Sequence, residues 1–348
     1  MRYLAALLVA LALLTPLPLR AGPYVPSEKT VAVQTILQDW KDDARSRVVP
    51  VKIYLPTQLD EPAPVVLVSH GLGGSREALK YVADMWSTHG YVVVAMQHVG
   101  SDESVWRGVP LTEARQALTK AANGEQFVAR NLDVKFVLDE LTRRSALDND
   151  PLHGKVDLTK IAMTGHSFGA ITTQAVIGQR FGREGGIEKS FRDDRITAAV
   201  AFSPSQPRGS KDFDFAFGAI TIPVYHITGT DDQNPLDPSE SPETRQTPYK
   251  FSPQSDRALL VLKGATHGNI GGGGEQRQRI RRRQEGSLSV EQVTRAHDLI
   301  EMSTLAFLDA TLRGDEKAGK WLKDGAFAAE VGDAGTFESK AATPVPQR

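Results

Sequence analysis

The 348-residue sequence contains no cysteine. This absence excludes disulfide bonds, a lipid anchor attached to cysteine and a cysteine nucleophile. If the chain is exported, a large hydrophobic core must therefore stabilise it without covalent cross-links. With 40% hydrophobic residues, the chain has enough apolar side chains for such a core.

The sequence also lacks an excess of charge of either sign. It carries 41 lysines and arginines against 42 aspartates and glutamates, so the formal net charge is -1. A protein that binds nucleic acid mainly through phosphate groups needs a surplus of basic side chains. We therefore expect no nucleic-acid partner.

Long hydrophobic runs are scarce, and the one that stands out lies at the N-terminus. The stretch MRYLAALLVALALLTPLPLRA has an early arginine, an apolar run over Leu4–Leu14, prolines, and then the small residue Ala21. A membrane-anchor helix is the alternative, but the run is shorter than the roughly 20 residues that span a bilayer. The layout predicts a signal peptide over residues 1–21, cleaved after Ala21, and hence a periplasmic or extracellular protein without a membrane span.

The rest of the chain alternates between short β-branched runs and longer amphipathic stretches, which predicts a mostly parallel sheet with helices on both faces. Several strand candidates are continuously apolar, as expected of strands buried on both faces. The strand candidates are Val51–Leu55, Val65–Ser69, Tyr91–Met96, Lys160–Thr164, Ala198–Phe202, Val224–Ile227 and Ala258–Leu262. The helix candidates are Arg76–His89, Asn131–Arg143, Ala170–Gly178 and Gln292–Leu312.

The domain organisation follows from this alternation. We predict an exposed lead-in over residues 22–45, a single α/β domain over residues 46–330 and a flexible tail over residues 331–348. The Gly/Arg-rich segment 271–287 is either a solvated surface segment or a contact for anionic lipid or polymer. The sequence does not indicate an oligomeric state.

The pentapeptide GHSFG, residues 165–169, lies between the strand candidate KIAMT and the apolar helix start AITTQAV. This strand-turn-helix setting is that of a nucleophile elbow, in which a strained serine is lifted out of the sheet. Gly165 and Gly169 let strand and helix pass closely, Ser167 is the candidate nucleophile, and the Phe168 amide faces a developing oxyanion. An idle serine in a glycine-rich turn is the alternative.

A serine nucleophile needs a base and an orienting carboxylate, which follow it in this fold in the order Ser, Asp, His. Asp231 and Asp232 come just after one strand candidate, and His267 follows the next. Both positions lie at carboxyl ends of strands, where open α/β sheets bind ligands. We therefore predict His267 as the general base and Asp232 as its orienting acid, with Asp231 as the alternative.

The second oxyanion donor is expected in the loop HGLGG, residues 70–74, which follows a strand candidate, and the Leu72 amide is the candidate. A phosphate-cradling loop is the alternative, but the P-loop lysine and the dinucleotide spacing are both absent. His98 follows another strand candidate and either borders the site or is a structural histidine. The insertions 101–127 and 204–221 are expected to shape the pocket. Trp106 lies in the first of them, and its ring either forms a wall of the pocket or packs in the protein interior.

The stretches SHGLGGSREALKYVADMWSTHGYVVVAMQH and KIAMTGHSFGA closely resemble the platelet-activating-factor acetylhydrolase and predicted dienelactone hydrolase group of α/β-hydrolases. The resemblance runs over residues 48–315. It implies an α/β-hydrolase fold with Ser167 as nucleophile, His267 as base and the Leu72 and Phe168 amides as the oxyanion hole.

The chain departs from this group in one respect. Acetylhydrolases of the plasma type carry their acid directly after the strand that follows the nucleophile helix, where this chain reads AFSPSQP with Ser203 and Ser205. Asp232, one strand later, is the position used in many other α/β-hydrolases, including secreted polyester and lipid esterases. True dienelactone hydrolases use a cysteine nucleophile, which this chain lacks.

These observations predict a secreted serine carboxylic-ester hydrolase that acts through an acyl-enzyme on short-chain acyl esters, with no metal and no organic cofactor. A phospholipid acetylhydrolase or a polyester hydrolase is the alternative within this class. A peptidase would need an extra domain or an amine-binding site, and neither is visible. A catalytically silent binding protein on the same scaffold would be expected to have a broken triad.

Overall fold

The computed structural model describes residues 24–26, 30–182, 188–207, 209, 211–272 and 288–343. The predicted signal peptide and most of the Gly/Arg-rich segment lie outside these ranges. Within them, the chain forms one large mixed sheet, a small two-stranded sheet and helices. The strands are β1 Val33–Asp42, β2 Arg47–Pro56, β3 Ala63–Ser69, β4 Val92–Met96, β5 Val156–His166, β6 Arg180–Gly182, β7 Glu188–Ser190, β8 Ile196–Phe202, β9 Val224–Asp231, β10 Arg257–Thr266 and β11 Gly335–Lys340.

The α-helices lie mostly between these strands. They are α1 Lys80–Thr88, α2 Leu111–Ala121, α3 Gly124–Ser145, α4 Phe168–Val176, α5 Phe213–Phe217, α6 Thr247–Lys250, α7 His267–Ile270, α8 Val290–Leu308, α9 Glu316–Lys323 and α10 Ala326–Val331. A π-helical turn, Asp309–Arg313, continues α8. All seven strand candidates and the four helix candidates correspond to elements of the fold.

The large sheet has the strand order β1-β2-β4-β3-β5-β8-β9-β10-β11. The six strands from β4 to β10 in this order run parallel, and β1, β2 and β11 are antiparallel additions at its two ends. Helices cover both faces. This is the mostly parallel α/β arrangement that the sequence predicts, and it brings the carboxyl ends of six strands to one edge.

Side chains of each central strand alternate between two hydrophobic cores. In β3, Val66 and Val68 belong to the core under α1 and α8, whereas Val65 and Leu67 belong to the core under α3 and α4. Because both faces are covered, nearly every residue of this strand is apolar, which is why the strand was readable from the sequence.

Both ends of the predicted domain need correction. Residues 33–42 are not an exposed lead-in but the edge strand β1, paired with β2 over its whole length. Residues 331–340 are not a flexible tail, since 335–340 form β11 and pair with β10, and Phe337 packs on Tyr225 and Phe327. Edge strands have one hydrogen-bonding side exposed, so they carry the polar residues that suggested a lead-in and a tail.

Candidate active site

The candidate nucleophile lies on a sharp turn between a central strand and a helix. β5 ends at His166, α4 begins at Phe168, and Ser167 between them has φ 57° and ψ -115°, in the left-handed half of the backbone map. A non-glycine residue in this region is strained, and such strain is found where a side chain must be presented for function. The turn has the geometry of a nucleophile elbow.

The two glycines of the motif are required by close backbone approaches. A Cβ atom at Gly169 would lie 1.9 Å from the carbonyl oxygen of Ser69, the last residue of β3. A Cβ atom at Gly165 would lie 2.4 Å from the backbone of Gly169. Both distances are far below van der Waals contact, so the elbow passes the end of β3 only because these residues have no side chain.

The candidate base and acid meet at the carboxyl ends of the next strands. His267 begins α7 directly after β10, and its Nδ1 lies 2.7 Å from Oδ1 of Asp232, which follows β9. Strands β9 and β10 approach each other closely at this point: a Cβ atom at Gly229 would lie only 2.0 Å from the Ala265 carbonyl oxygen. Asp231 is exposed and accepts a hydrogen bond from Thr230 instead. Of the two candidate acids, Asp232 therefore contacts the histidine.

The surroundings of Asp232 hold it in the ionised form. Burial alone would raise the pKa of this fully buried carboxyl group, but the hydrogen bond from His267 and the charges of His267 and Arg245 outweigh it and lower the pKa to about 2. Thr228 Oγ1 also donates to Asp232 Oδ2 over 2.8 Å. An ionised acceptor keeps the His267 proton on Nδ1, which leaves Nε2 able to act as a base.

Arg245 is a buried residue beside the acid that the sequence analysis missed. Its Nη1 donates to Ser205 Oγ over 2.6 Å and to the Ser203 carbonyl over 3.3 Å, and its Nε lies 3.5 Å from Asp232 Oδ1. Arg245 thus joins the residues that follow β8, Ser203 and Ser205, to Asp232. The surrounding PETRQTP stretch has no pattern that would mark this arginine as buried.

His166 connects the elbow, the base and the HGLGG loop. Its ring centroid lies 4.4 Å from that of His267, and its Nε2 lies 3.1 Å from the His267 carbonyl oxygen, to which it donates. A Cβ atom at Gly71 would lie 3.3 Å from His166 Nδ1 and 3.5 Å from Ser167 Cβ. Burial, together with the charge of His267, lowers the pKa of His166 to about 3, so this histidine is neutral.

The two candidate oxyanion amides belong to the residue after Ser167 and to the HGLGG loop, whose Gly71 approaches Ser167. Phe168 is the first residue of α4, so its amide has no acceptor within the helix. In the HGLGG loop, the Gly73 amide donates to the Ser101 carbonyl over 2.8 Å and the Gly74 amide donates to the Gly71 carbonyl over 3.0 Å. Because these two amides are engaged within the protein, they are not available to an oxyanion, and the Leu72 amide stays the predicted donor from this loop.

His98 does not border an open site. The side chain is fully buried between Ser69, whose Oγ lies 2.9 Å from Nε2, and Asp133, whose Oδ2 lies 3.0 Å from Nδ1. Burial, with the charge of Arg130, lowers its pKa to about 4 despite the hydrogen bond with Asp133. The alternative of a structural histidine therefore fits His98 better, because Ser69 and Asp133 engage both of its ring nitrogens.

Trp106 and the 101–127 insertion cover the HGLGG loop. The indole Nε1 donates to the Gly73 carbonyl over 2.7 Å, and a Cβ atom at Gly73 would lie 3.0 Å from the indole ring and 2.5 Å from Leu118 of α2. Trp106 therefore packs on the loop that carries the Leu72 amide. A direct role of its ring as a substrate wall stays a prediction.

Arg130 is the second buried cation that the sequence analysis missed. It is fully buried, donates to Ser69 Oγ over 3.1 Å and to the His70 carbonyl, and its guanidinium lies 4.4 Å from the centre of the Phe168 ring. Burial lowers its pKa to about 9, against the opposing charge of Asp133. A signal was present, because Arg130 shares the apolar helical face of Val134 and Val137.

Two kinds of site are absent from the residues that the structure describes. Across the described ranges, no group of three or more histidine, aspartate or glutamate side chains could hold a metal ion. In the same part of the chain, no helix combines the length and apolarity that a membrane crossing requires.

Comparison with known proteins supports the resemblance that the motifs indicate. The family model described as platelet-activating factor acetylhydrolase, isoform II, matches residues 42–139, a range that includes the HGLGG loop and ends before the elbow. The platelet-activating factor acetylhydrolase of Cavia porcellus is 24% identical over 304 residues, 78% of this chain. The platelet-activating factor acetylhydrolase of Bos taurus is 23% identical over 60% of this chain, and that of Canis lupus familiaris is 21% identical over 62% of this chain.

The chain spans 63% of the length of the Cavia porcellus relative and about half of the other two (48% and 49%). The predicted resemblance is confirmed at the level of this group. The chain is similar to an acetylhydrolase family of α/β-hydrolases, and its parallel sheet agrees with that fold.

Proposed function

We propose that this protein is a serine ester hydrolase that acts through Ser167, His267 and Asp232. The single observation that supports this most strongly is the 2.7 Å hydrogen bond between buried Asp232 and His267, at the strand edge that also presents the strained Ser167. The relatives are named as acetylhydrolases, which is an ester-hydrolase activity and agrees with this assignment.

The reaction proceeds in two steps. His267 Nε2 removes the Ser167 proton as Oγ attacks the ester carbonyl, and Asp232 stabilises the imidazolium that forms. The Leu72 and Phe168 amides hold the negative charge on the carbonyl oxygen, each donor contributing about 100- to 1000-fold in rate. His267 then protonates the leaving alcohol, and a water molecule, activated by the same histidine, hydrolyses the acyl-enzyme.

We further propose that the substrates are short-chain acyl esters and that the protein is exported. The names of the relatives favour an acetyl ester of a phospholipid as the specific substrate. The position of the acid at Asp232, in place of one directly after β8, favours other small or polymeric esters as substrates.

The signal peptide predicted over residues 1–21 supports a periplasmic or extracellular location. N-terminal sequencing of the exported protein tests this proposal.

Hydrolysis of p-nitrophenyl esters from acetate to palmitate, beside a 2-acetyl phospholipid, tests the proposal. We expect activity on the short esters that is lost in Ser167→Ala and kept in Ser145→Ala, a serine at the far end of α3. Activity that rises with chain length would replace the short-chain assignment by a lipase-like one. Absence of activity on all esters, or full activity in Ser167→Ala, would contradict the function and favour a peptidase or a silent binding protein.

A further inference from the structure

The peptide bond between Gly71 and Leu72 is held from its carbonyl side. The Gly71 carbonyl oxygen accepts two hydrogen bonds, one from His70 Nδ1 over 2.6 Å and one from the Gly74 amide over 3.0 Å. A trans peptide is planar and its C=O and N–H point in opposite directions. Two donors that fix the Gly71 carbonyl therefore also fix the direction of the Leu72 amide.

The tautomer of His70 follows from its other ring nitrogen. The backbone amide of His98 donates to His70 Nε2 over 2.9 Å, so Nε2 is an acceptor and carries no proton. The single proton of the neutral ring is then on Nδ1, where it is donated to the Gly71 carbonyl. Burial, with the charges of Arg130 and His98, lowers the pKa of His70 well below its usual value, which keeps the ring neutral.

The ring is held in place on several sides. A Cβ atom at Gly74 would lie 3.1 Å from His70 Cβ, and the His98 ring centroid lies 5.2 Å from that of His70. The His70 carbonyl accepts a hydrogen bond from Arg130. Since the side chain is fully buried, water is not expected to replace either ring hydrogen bond.

We propose that His70 is a positioning residue for the oxyanion hole: its Nδ1–H holds the Gly71 carbonyl and thereby aims the Leu72 amide at the substrate carbonyl. This inference rests on the proposed function and assigns a role in it to a residue that would not itself touch the substrate. The ring nitrogen that matters for the reaction is Nδ1, which donates to the Gly71 carbonyl, and not Nε2, which accepts from the His98 amide.

Two substitutions separate these halves of the imidazole. In His70→Asn, the side-chain amide places its NH₂ near the former Nδ1 and can still donate to the Gly71 carbonyl. In His70→Gln, the longer side chain places its amide oxygen near the former Nε2 and can still accept from the His98 amide. The two variants are similar in polarity and differ in which hydrogen bond they restore.

With p-nitrophenyl acetate as substrate, we expect His70→Gln to lose about 10- to 100-fold in kcat with little change in KM, because a misdirected donor is weaker than an intact one. The loss in kcat is expected to be clearly smaller in His70→Asn than in His70→Gln. Inhibition by a boronic acid, which forms a tetrahedral adduct, should weaken in the same order. Equal losses in both variants, or better activity in His70→Gln, would overturn the positioning role.

If the variants fail to fold, a measurement on the unsubstituted protein still tests the inference. Nitrogen-15 NMR of its imidazole rings reports the tautomer of each histidine, and we expect His70 as the Nδ1–H form. An Nε2–H form would overturn the inference even if the enzyme is active. An unsubstituted protein that hydrolyses no ester would instead overturn the proposed function, so the two failures are distinguishable.

Discussion

At the scale of single residues, Asp231 and Asp232 are adjacent in sequence but have opposite environments. Asp232 is fully buried and bound to His267, whereas the Asp231 side chain lies in solvent beside Thr230. A carboxylate that orients the catalytic histidine must be ionised and fixed, and only Asp232 meets both conditions. This difference gives a matched pair of substitutions.

Asp232→Asn is expected to lower kcat on short esters by about 10³- to 10⁴-fold, since the amide no longer stabilises the imidazolium or the Nδ1–H tautomer. Asp231→Asn should stay within about twofold, because an exposed substitution away from the site changes little. Steady-state kinetics of the two purified variants checks this. Comparable losses in both, or a larger loss in Asp231→Asn, would argue against Asp232 as the acid.

The site residues found by sequence differ from those missed in one physical respect. Ser167, His267 and Asp232 each follow an apolar strand, so their positions relative to the sheet edge could be predicted. Arg130 and Arg245 are buried, and each donates to a backbone carbonyl group that is distant in the sequence. A charged side chain is expected at the surface unless a partner is known. Only the position of Arg130 on the apolar face of α3 hinted at burial, and no local pattern marks Arg245.

At the scale of secondary-structure elements, the elbow depends on how closely α4 passes the end of β3. The 1.9 Å distance from a Gly169 Cβ atom to the Ser69 carbonyl means that a methyl group cannot be accommodated without moving one element. At Gly124, the first residue of α3, a Cβ atom would meet nothing within 4 Å. The same substitution should therefore have different consequences at the two positions.

Gly169→Ala is expected to lower the free energy of unfolding by about 3 kcal/mol or more and to abolish ester hydrolysis, since the added methyl group would clash with the backbone of Ser69 and His70. Gly124→Ala should leave activity unchanged and alter stability by less than about 1 kcal/mol. Urea unfolding of the two variants tests the difference. A Gly169→Ala protein with the stability and activity of the parent would show that the elbow is not under this constraint.

Prediction of the elements succeeded in the centre of the sheet and failed at its edges. The central strands were readable because burial on both faces requires continuous apolar runs. In β11, partly buried residues alternate with exposed ones, and in β1 only Trp40 and Asp42 are buried, so the strand VQTILQDWKD resembles an irregular exposed segment. Its pairing depends on β2, and long-range pairing of this kind is not encoded in local composition.

At the scale of the whole molecule, stability is expected to depend on pH through Glu301 on α8. Burial, with the charges of Asp298 and Asp84, raises the pKa of Glu301 to about 7. In the unfolded chain this carboxyl group has an ordinary pKa of about 4.3. The neutral carboxyl therefore favours the folded state fully below the unfolded value, and this contribution is lost as the pH rises through about 7.

Glu301→Gln is expected to raise Tm at pH 8, where the parent protein carries a charged carboxylate next to two others. Near pH 4, where Glu301 is neutral in the folded protein, the two melting temperatures should converge. Glu61→Gln, in an exposed loop, is the control with the same chemical change. A gain in Tm that is the same at both pH values would contradict the electrostatic explanation.

The central claim about the molecule is that Ser167 is a nucleophile activated by His267 and Asp232. Reaction with an activated p-nitrophenyl alkylphosphonate, followed by mass spectrometry of the intact protein and its peptides, tests this most directly. We expect one phosphonyl group per chain, on the peptide that contains Ser167, with much slower labelling in Asp232→Asn and none in Ser167→Ala. Labelling that persists in Ser167→Ala, or a parent protein that remains unlabelled, would contradict the claim.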